Sequence, residues 1–104
     1  MNYFAYDRMG SSVQMPNQSE MKKLISSAAN AGVEHPDVSL NTDEGWCLSY
    51  NKSQIIILEN VETGEGPWHL SSVGEFKALE LWMLLSSGNN EKLMLEKWQE
   101  GYGN

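Results

Sequence analysis

Apolar residues recur along this chain with two different periods, and the changes of period mark its elements. Tyr3-Phe4-Ala5-Tyr6 is a short aromatic run that predicts a first strand, and the Gly, Ser, Pro and Asn residues between Gly10 and Gln18 predict a loop after it. Asn17 followed three residues later by Glu20 has the form of a capping box. Met21, Leu24, Ile25 and Ala28 then recur at helical spacing, and Gly32 is placed to end that helix as a left-handed cap.

After His35-Pro36 the period becomes that of a strand. Val38-Ser39-Leu40 alternates, and Trp46, Leu48 and Tyr50 fall on one side with Cys47 and Ser49 on the other, the two runs being joined through Thr42-Asp43-Glu44-Gly45 as a hairpin. Asn51-Lys52-Ser53 signals a second turn. Gln54 to Asn60 is β-branched and apolar without alternation, the pattern of a strand covered on both faces, and it is the expected central strand. Val61 to Pro67 reads as an acidic loop, and Trp68-His69-Leu70 as a fourth meander strand kept at an edge by Pro67.

The Ser72-Val73-Gly74-Glu75 stretch repeats the capping-box form and opens the strongest helical pattern in the chain. Phe76, Leu79, Trp82, Met83 and Leu85 are its expected buried side, while Leu81 and Leu84 make it apolar nearly all round. Gly88-Asn89-Asn90 stops it. A short final helix from Glu91 to Trp98, with Leu93, Met94 and Trp98 inward, precedes the tail Gly101-Tyr102-Gly103-Asn104. The predicted fold is α+β: an antiparallel β-meander sheet packed against two main helices plus a short C-terminal helix. At 104 residues the chain has room for one core, since an independent core needs at least about 50 residues. A single domain is expected over 1–104, with a strand and loop over about 1–18 and a tail over 99–104.

Charge changes the picture more than composition does. The chain carries 14 acids and 7 bases, and between Glu34 and Glu65 stand Glu34, Asp37, Asp43, Glu44, Glu59, Glu62 and Glu65 against Lys52 alone, which is −6 of the net −7. An acidic patch repels nucleic acid and anionic lipid and steers basic proteins toward itself, so neither a nucleic-acid nor a membrane partner is expected. No apolar run approaches the roughly 18 residues of a membrane helix. The N-terminus lacks the basic start and apolar core of a secretory signal, and Cys47 is alone; a cytoplasmic location is the expectation.

Candidate chemistry is sparse. His35, Asp37 and His69 could hold a metal in a small hydrolase, but their spacing is that of loop and strand residues met by chance rather than of a ligand set. Cys47 lies in an acidic neighbourhood that raises a thiol pKa and so works against nucleophilic use. Asp43 with Glu44, or Glu62 with Glu65, sit on predicted turns where little apolar surface is available to shift a carboxyl pKa for acid and base work. No phosphate loop and no cofactor motif is present: Gly64-Glu65-Gly66 lacks the lysine and the helix entry that a phosphate cradle needs. Trp46, Trp82 and Trp98 take inward positions in their patterns. Trp68 differs, standing beside the acidic loop as an aromatic ringed by charges.

Several stretches together, Glu44-Gly45-Trp46-Cys47-Leu48, Ile57-Leu58-Glu59-Asn60, Pro67-Trp68-His69-Leu70, Leu79-Glu80-Leu81-Trp82 with Gly88, and Trp98 with Gly101-Tyr102-Gly103, resemble the small bacterial immunity proteins. These accompany polymorphic toxins, including those of contact-dependent growth inhibition, and the likeness runs over about residues 20–103. The resemblance implies a cytoplasmic antitoxin without catalytic residues, metal or cofactor, which binds one cognate toxin domain, often a nuclease. The charge pattern independently suggests a basic partner, with Asp43, Glu44, Glu59, Glu62 and Glu65 as the contacting acids and Trp68 as anchor. Competing readings are the hydrolase, a phage-type inhibitor of a host factor, and a homodimer formed through the all-round apolar helix.

Overall fold

The fold was obtained as a computed structural model, which describes residues 2–30 and 37–103. The strands are β1 (Tyr3–Tyr6), β2 (Ser12–Gln14), β3 (Val38–Thr42), β4 (Trp46–Tyr50), β5 (Ile56–Asn60), β6 (Trp68–Leu70) and β7 (Gln99–Glu100). The helices are α1 (Gln18–Ala29), α2 (Glu75–Ser86) and α3 (Asn90–Leu93). Among the described residues seven strands form one antiparallel sheet in the order β2-β1-β3-β4-β5-β6-β7. This is the expected α+β class, with two main helices and a short third.

Side-chain alternation decides where the core lies. Val38, Leu40, Leu48, Tyr50, Ile56 and Leu58 are all buried, and the register places them on one face of the sheet. Met21, Ile25 and Ala28 of α1 and Ala78, Leu81, Trp82 and Leu85 of α2 join the same cluster, so the helices cover that face. β5 alternates accordingly: Ile56, Leu58 and Asn60 are buried, while Ile57 and Glu59 are half-buried on the other face. The expectation of a strand covered on both faces fails here, because both main helices lie on the same side. Nor is β5 the middle strand; β4 is, since β1 and β2 extend the sheet beyond β3.

α1 starts as its sequence predicts. Asn17 accepts from the Glu20 backbone N–H at 2.8 Å, and the Glu20 carboxylate accepts from the Asn17 N–H at 3.0 Å. Its C-cap is Asn30, whose N–H reaches Ser26 and Ala28 carbonyls; Gly32 lies outside the described residues. The predicted loop from Gly10 to Gln18 contains β2, which pairs with β1 through the partners Ala5 and Val13. Three residues are too few to announce a strand by periodicity.

α2 departs from its predicted start and from part of its predicted face. Its N-cap is Gly74, without a side-chain hydrogen bond, and Ser72 sits at φ +56, outside the extended geometry of a cap. Val73 is the cause. Its side chain is buried, its N–H donates to Gln54 O at 2.8 Å, and its carbonyl accepts from the Tyr50 hydroxyl at 2.7 Å, so tertiary contacts occupy the residue that would form the first turn. The helix buries Ala78, Leu79, Leu81, Trp82 and Leu85, so Leu79, Trp82 and Leu85 turn inward as expected, whereas Phe76 is 83% exposed and Met83 is also exposed.

The expected final helix to Trp98 ends at Leu93. Trp98 Nε1 donates to Leu93 O at 2.9 Å and terminates it, Met94 is exposed rather than inward, and the chain then pairs Gln99 and Glu100 with β6. β6 is therefore not an edge strand. Lys77 ties this connection to α2 by an ion pair with Glu96 at 2.9 Å, and that hydrogen bond raises the lysine pKa above its ordinary value.

Trp82 is fully buried, and its Nε1 has no hydrogen-bond partner among the described residues. Its contribution is the packing of the ring. Trp82→Ala is expected to lower stability by about 3–5 kcal/mol, with Trp82→Phe costing clearly less because no indole hydrogen bond is lost; urea denaturation of both variants measures the difference.

Candidate protein-binding surface

Two acidic turns meet at one end of the sheet. In an antiparallel meander the β3–β4 turn and the β5–β6 loop lie at the same end, which brings Asp43, Glu44, Glu62 and Glu65 together as exposed side chains. Asn60 joins the two. Its buried carboxamide donates to Glu44 O at 3.1 Å and accepts from the N–H groups of Glu62 at 2.9 Å and Thr63 at 3.0 Å. Backbone bonds from Val61 N to Gly45 O and from Asn60 N to Glu65 O, both 2.9 Å, complete the junction. The acids thus stand on a braced support rather than on separate loops. Asp43 also accepts from the Asn2 N–H, and Glu65 from the Thr63 hydroxyl.

Gly45 is required at this junction. It adopts φ +93, and a Cβ there would stand 2.6 Å from Asn60 Oδ1 and 2.8 Å from Glu62 Cγ. In the sequence the glycine reads only as a turn residue; its close approach to a second loop needed the register to become visible.

The other expected contact residues divide. Glu59 lies on the sheet face away from the helices, opposite Cys47, and accepts from the Tyr102 hydroxyl at 3.3 Å. Trp68 is half-buried on the helix-covered side, in register with Leu58 and packed against the core, with β7 beyond it. It is not the edge aromatic that its neighbours in sequence suggested, and it does not share a face with Glu59. Tyr102, whose pKa the Glu59 charge raises, stands in a glycine-rich tail that gives no periodic signal in the sequence.

Of the hydrolase residues, the two that are described, Asp37 and His69, are not brought together. His69 Nδ1 is 3.0 Å from Gly101 O, and Gly103 (φ +84) lies so close to the ring that a Cβ would approach its Cδ2 to 2.8 Å. Asp37 adjoins β3, three strands from β6 and so more than about 14 Å from His69, and His35 lies outside the described residues. Among the described residues, no group of three His, Cys, Asp or Glu could hold a metal. No helix among them is long and apolar enough to cross a membrane.

Burial, with the nearby Glu59 and Asp37 charges and against a hydrogen bond from Ser39, pushes the Cys47 thiol up to about 11. The group is therefore protonated at neutral pH and a weak nucleophile. What the fold and surface define is a class: an α+β protein with a one-sided antiparallel sheet and a braced acidic end. Comparison of the chain with protein-family models, with curated proteins and with solved structures gives no match.

Two outcomes are expected. Gly45→Ala should lower stability by more than Gly64→Ala, which has φ +82 but open space around a Cβ. The latter should cost only the roughly 1–2 kcal/mol of a left-handed backbone, and thermal melts of the pair read the excess due to the clash. Cys47 should react slowly with iodoacetamide until the pH approaches about 11. Because the folded state holds this proton more tightly than the unfolded chain, the stability it contributes is full below about 9 and lost as pH rises toward about 11.

Proposed function

We propose that this chain is an inhibitor of the bacterial immunity type, which binds a basic toxin domain in the cytoplasm and neutralises it. A nuclease is the favoured target, because the groove that holds its phosphate backbone is basic and an acidic surface can fill it. The observation that carries the reading is the absence of bases from the acidic end. Among the described residues no strand contains a lysine or arginine; Lys22, Lys23, Lys77 and Lys92 lie on the helices, and Lys97 follows α3. Arg8 and Lys52 occupy the β1–β2 and β4–β5 turns, at the end of the sheet opposite Asp43, Glu44, Glu62 and Glu65. A solvating acidic composition would have no reason to sort its bases in this way, whereas a surface that meets a cation-rich partner does.

The braced turns support the same reading, since a rigid charge array loses little side-chain and loop entropy on binding. The test is a tagged protein recovered from lysate of its native source, followed by assay of the co-purified candidate for one-to-one binding and loss of toxicity. Association without neutralisation would overturn the inhibitor reading. With the partner in hand, Glu62→Lys with Glu65→Lys should slow association about tenfold or more at low salt and flatten its salt dependence, while dissociation changes less. Stopped-flow kinetics at several ionic strengths measure both.

A further inference from the structure

Among the described residues, no helix or further strand covers the face of the sheet away from α1 and α2 over β1, β3 and β4. Phe4, Tyr6, Ser39, Asn41, Cys47 and Ser49 alternate onto it, each half-buried or exposed. Only toward β6 is it covered in part, where the residues around Gly103 lie against His69 and Ile55 and Tyr102 meets Glu59. Among the described residues, Glu59 is the one charged strand residue on this face, which meets the acidic end at the β3–β4 turn.

Where the two regions join there is a hollow of about 270 Å³. Gly45 contributes no side chain to it, and Phe4, Tyr6, Asn41, Asp43, Val61 and Glu62 stand around it. Phe4 and Tyr6 are in edge-to-face contact, with ring centroids 5.3 Å apart and planes at 86°. Asn41 Nδ2 donates to Ser39 Oγ at 3.0 Å, which leaves its carbonyl oxygen as an acceptor. Neither Asp43 nor Glu62 has a cationic partner among the described residues. Two aromatic side chains, two carboxylates and an amide around one recess match a flat cation that can pack on a ring and donate several hydrogen bonds. A guanidinium does both, and an ammonium only the second.

We infer that the basic partner docks on this uncovered sheet face, and that the hollow beside Gly45 receives one of its arginine side chains. The inference rests on reading the chain as the binder of a basic protein, and adds where the partner sits and what anchors it. The acidic end then speeds encounter, while the face and hollow slow release.

The test uses the full chain and a defined probe, an acetylated and amidated Gly-Arg-Gly-Arg-Gly peptide, beside the same peptide with citrulline for arginine. In nitrogen-15 NMR titrations the arginine peptide should shift the amides of Phe4, Asn41, Gly45 and Val61, and the citrulline peptide should not. Phe4→Leu, which keeps an apolar side chain and removes the ring, should weaken the response severalfold with the remaining spectrum intact; Glu62→Gln should do the same. Shifts centred on the helix-side acids Glu80, Glu91 and Glu96, or a response unchanged in Phe4→Leu, would overturn the inference. With a neutralised toxin available, Phe4→Leu should speed dissociation about tenfold and leave association nearly unchanged. Neutralisation with unaltered dissociation would sink the docking face and leave the inhibitor reading standing. Arginine binding in the hollow without any neutralised toxin would support the site and remove that reading.

Discussion

Everything in this fold follows from the burial of one side of its sheet and not the other. Strand side chains alternate, so a strand offers its apolar residues to one face unless both faces are covered. Here α1 and α2 both pack on the face that Leu40, Leu48, Tyr50, Ile56 and Leu58 present, and Trp82 fills the space between helix and sheet. The polar members of the same strands, Ser39, Asn41, Ser49 and Glu59, are thereby committed to the opposite face. A one-residue slip of register would exchange the two sets, which is why the core and the uncovered surface are specified together.

The acidic end depends on that same register. Asn60 is the last residue of β5 and points into the buried side, where its carboxamide can bond both the β3–β4 turn and the β5–β6 loop. The desolvation of a buried amide is offset by the three bonds it makes. Four carboxylates stand at this end, and among the described residues none of them forms an ion pair with a base. That leaves them free to meet a cationic partner, in keeping with the proposed inhibitor.

Much of the plan was legible in the chain. The helical period of Met21, Ile25 and Ala28, the Asn17–Glu20 box, the alternation of Trp46, Leu48 and Tyr50 and the clustering of acids are local signals, and each survived folding because no tertiary contact competed with it. Where a competing contact existed, local signals failed. Ser72 has the spacing of a cap, yet the bonds from Val73 to Gln54 and Tyr50 take up the backbone that a capped turn would use. Phe76 fits the apolar stripe, yet Leu79, Trp82 and Leu85 turn inward with Ala78 and Leu81 and leave it exposed.

What the sequence by itself determined is the number and kind of the main elements, the α+β class and the excess of negative charge in the middle of the chain, because these depend on neighbours in sequence and on composition. Only the tertiary structure decided that β7 closes over β6, that Trp68 lies inward while Glu59 lies on the open face, and that two acidic turns become one surface. Those outcomes rest on contacts between residues far apart along the chain. Periodicity reports which side of an element is apolar, and it carries no information about which other element that side, or the side opposite, will meet.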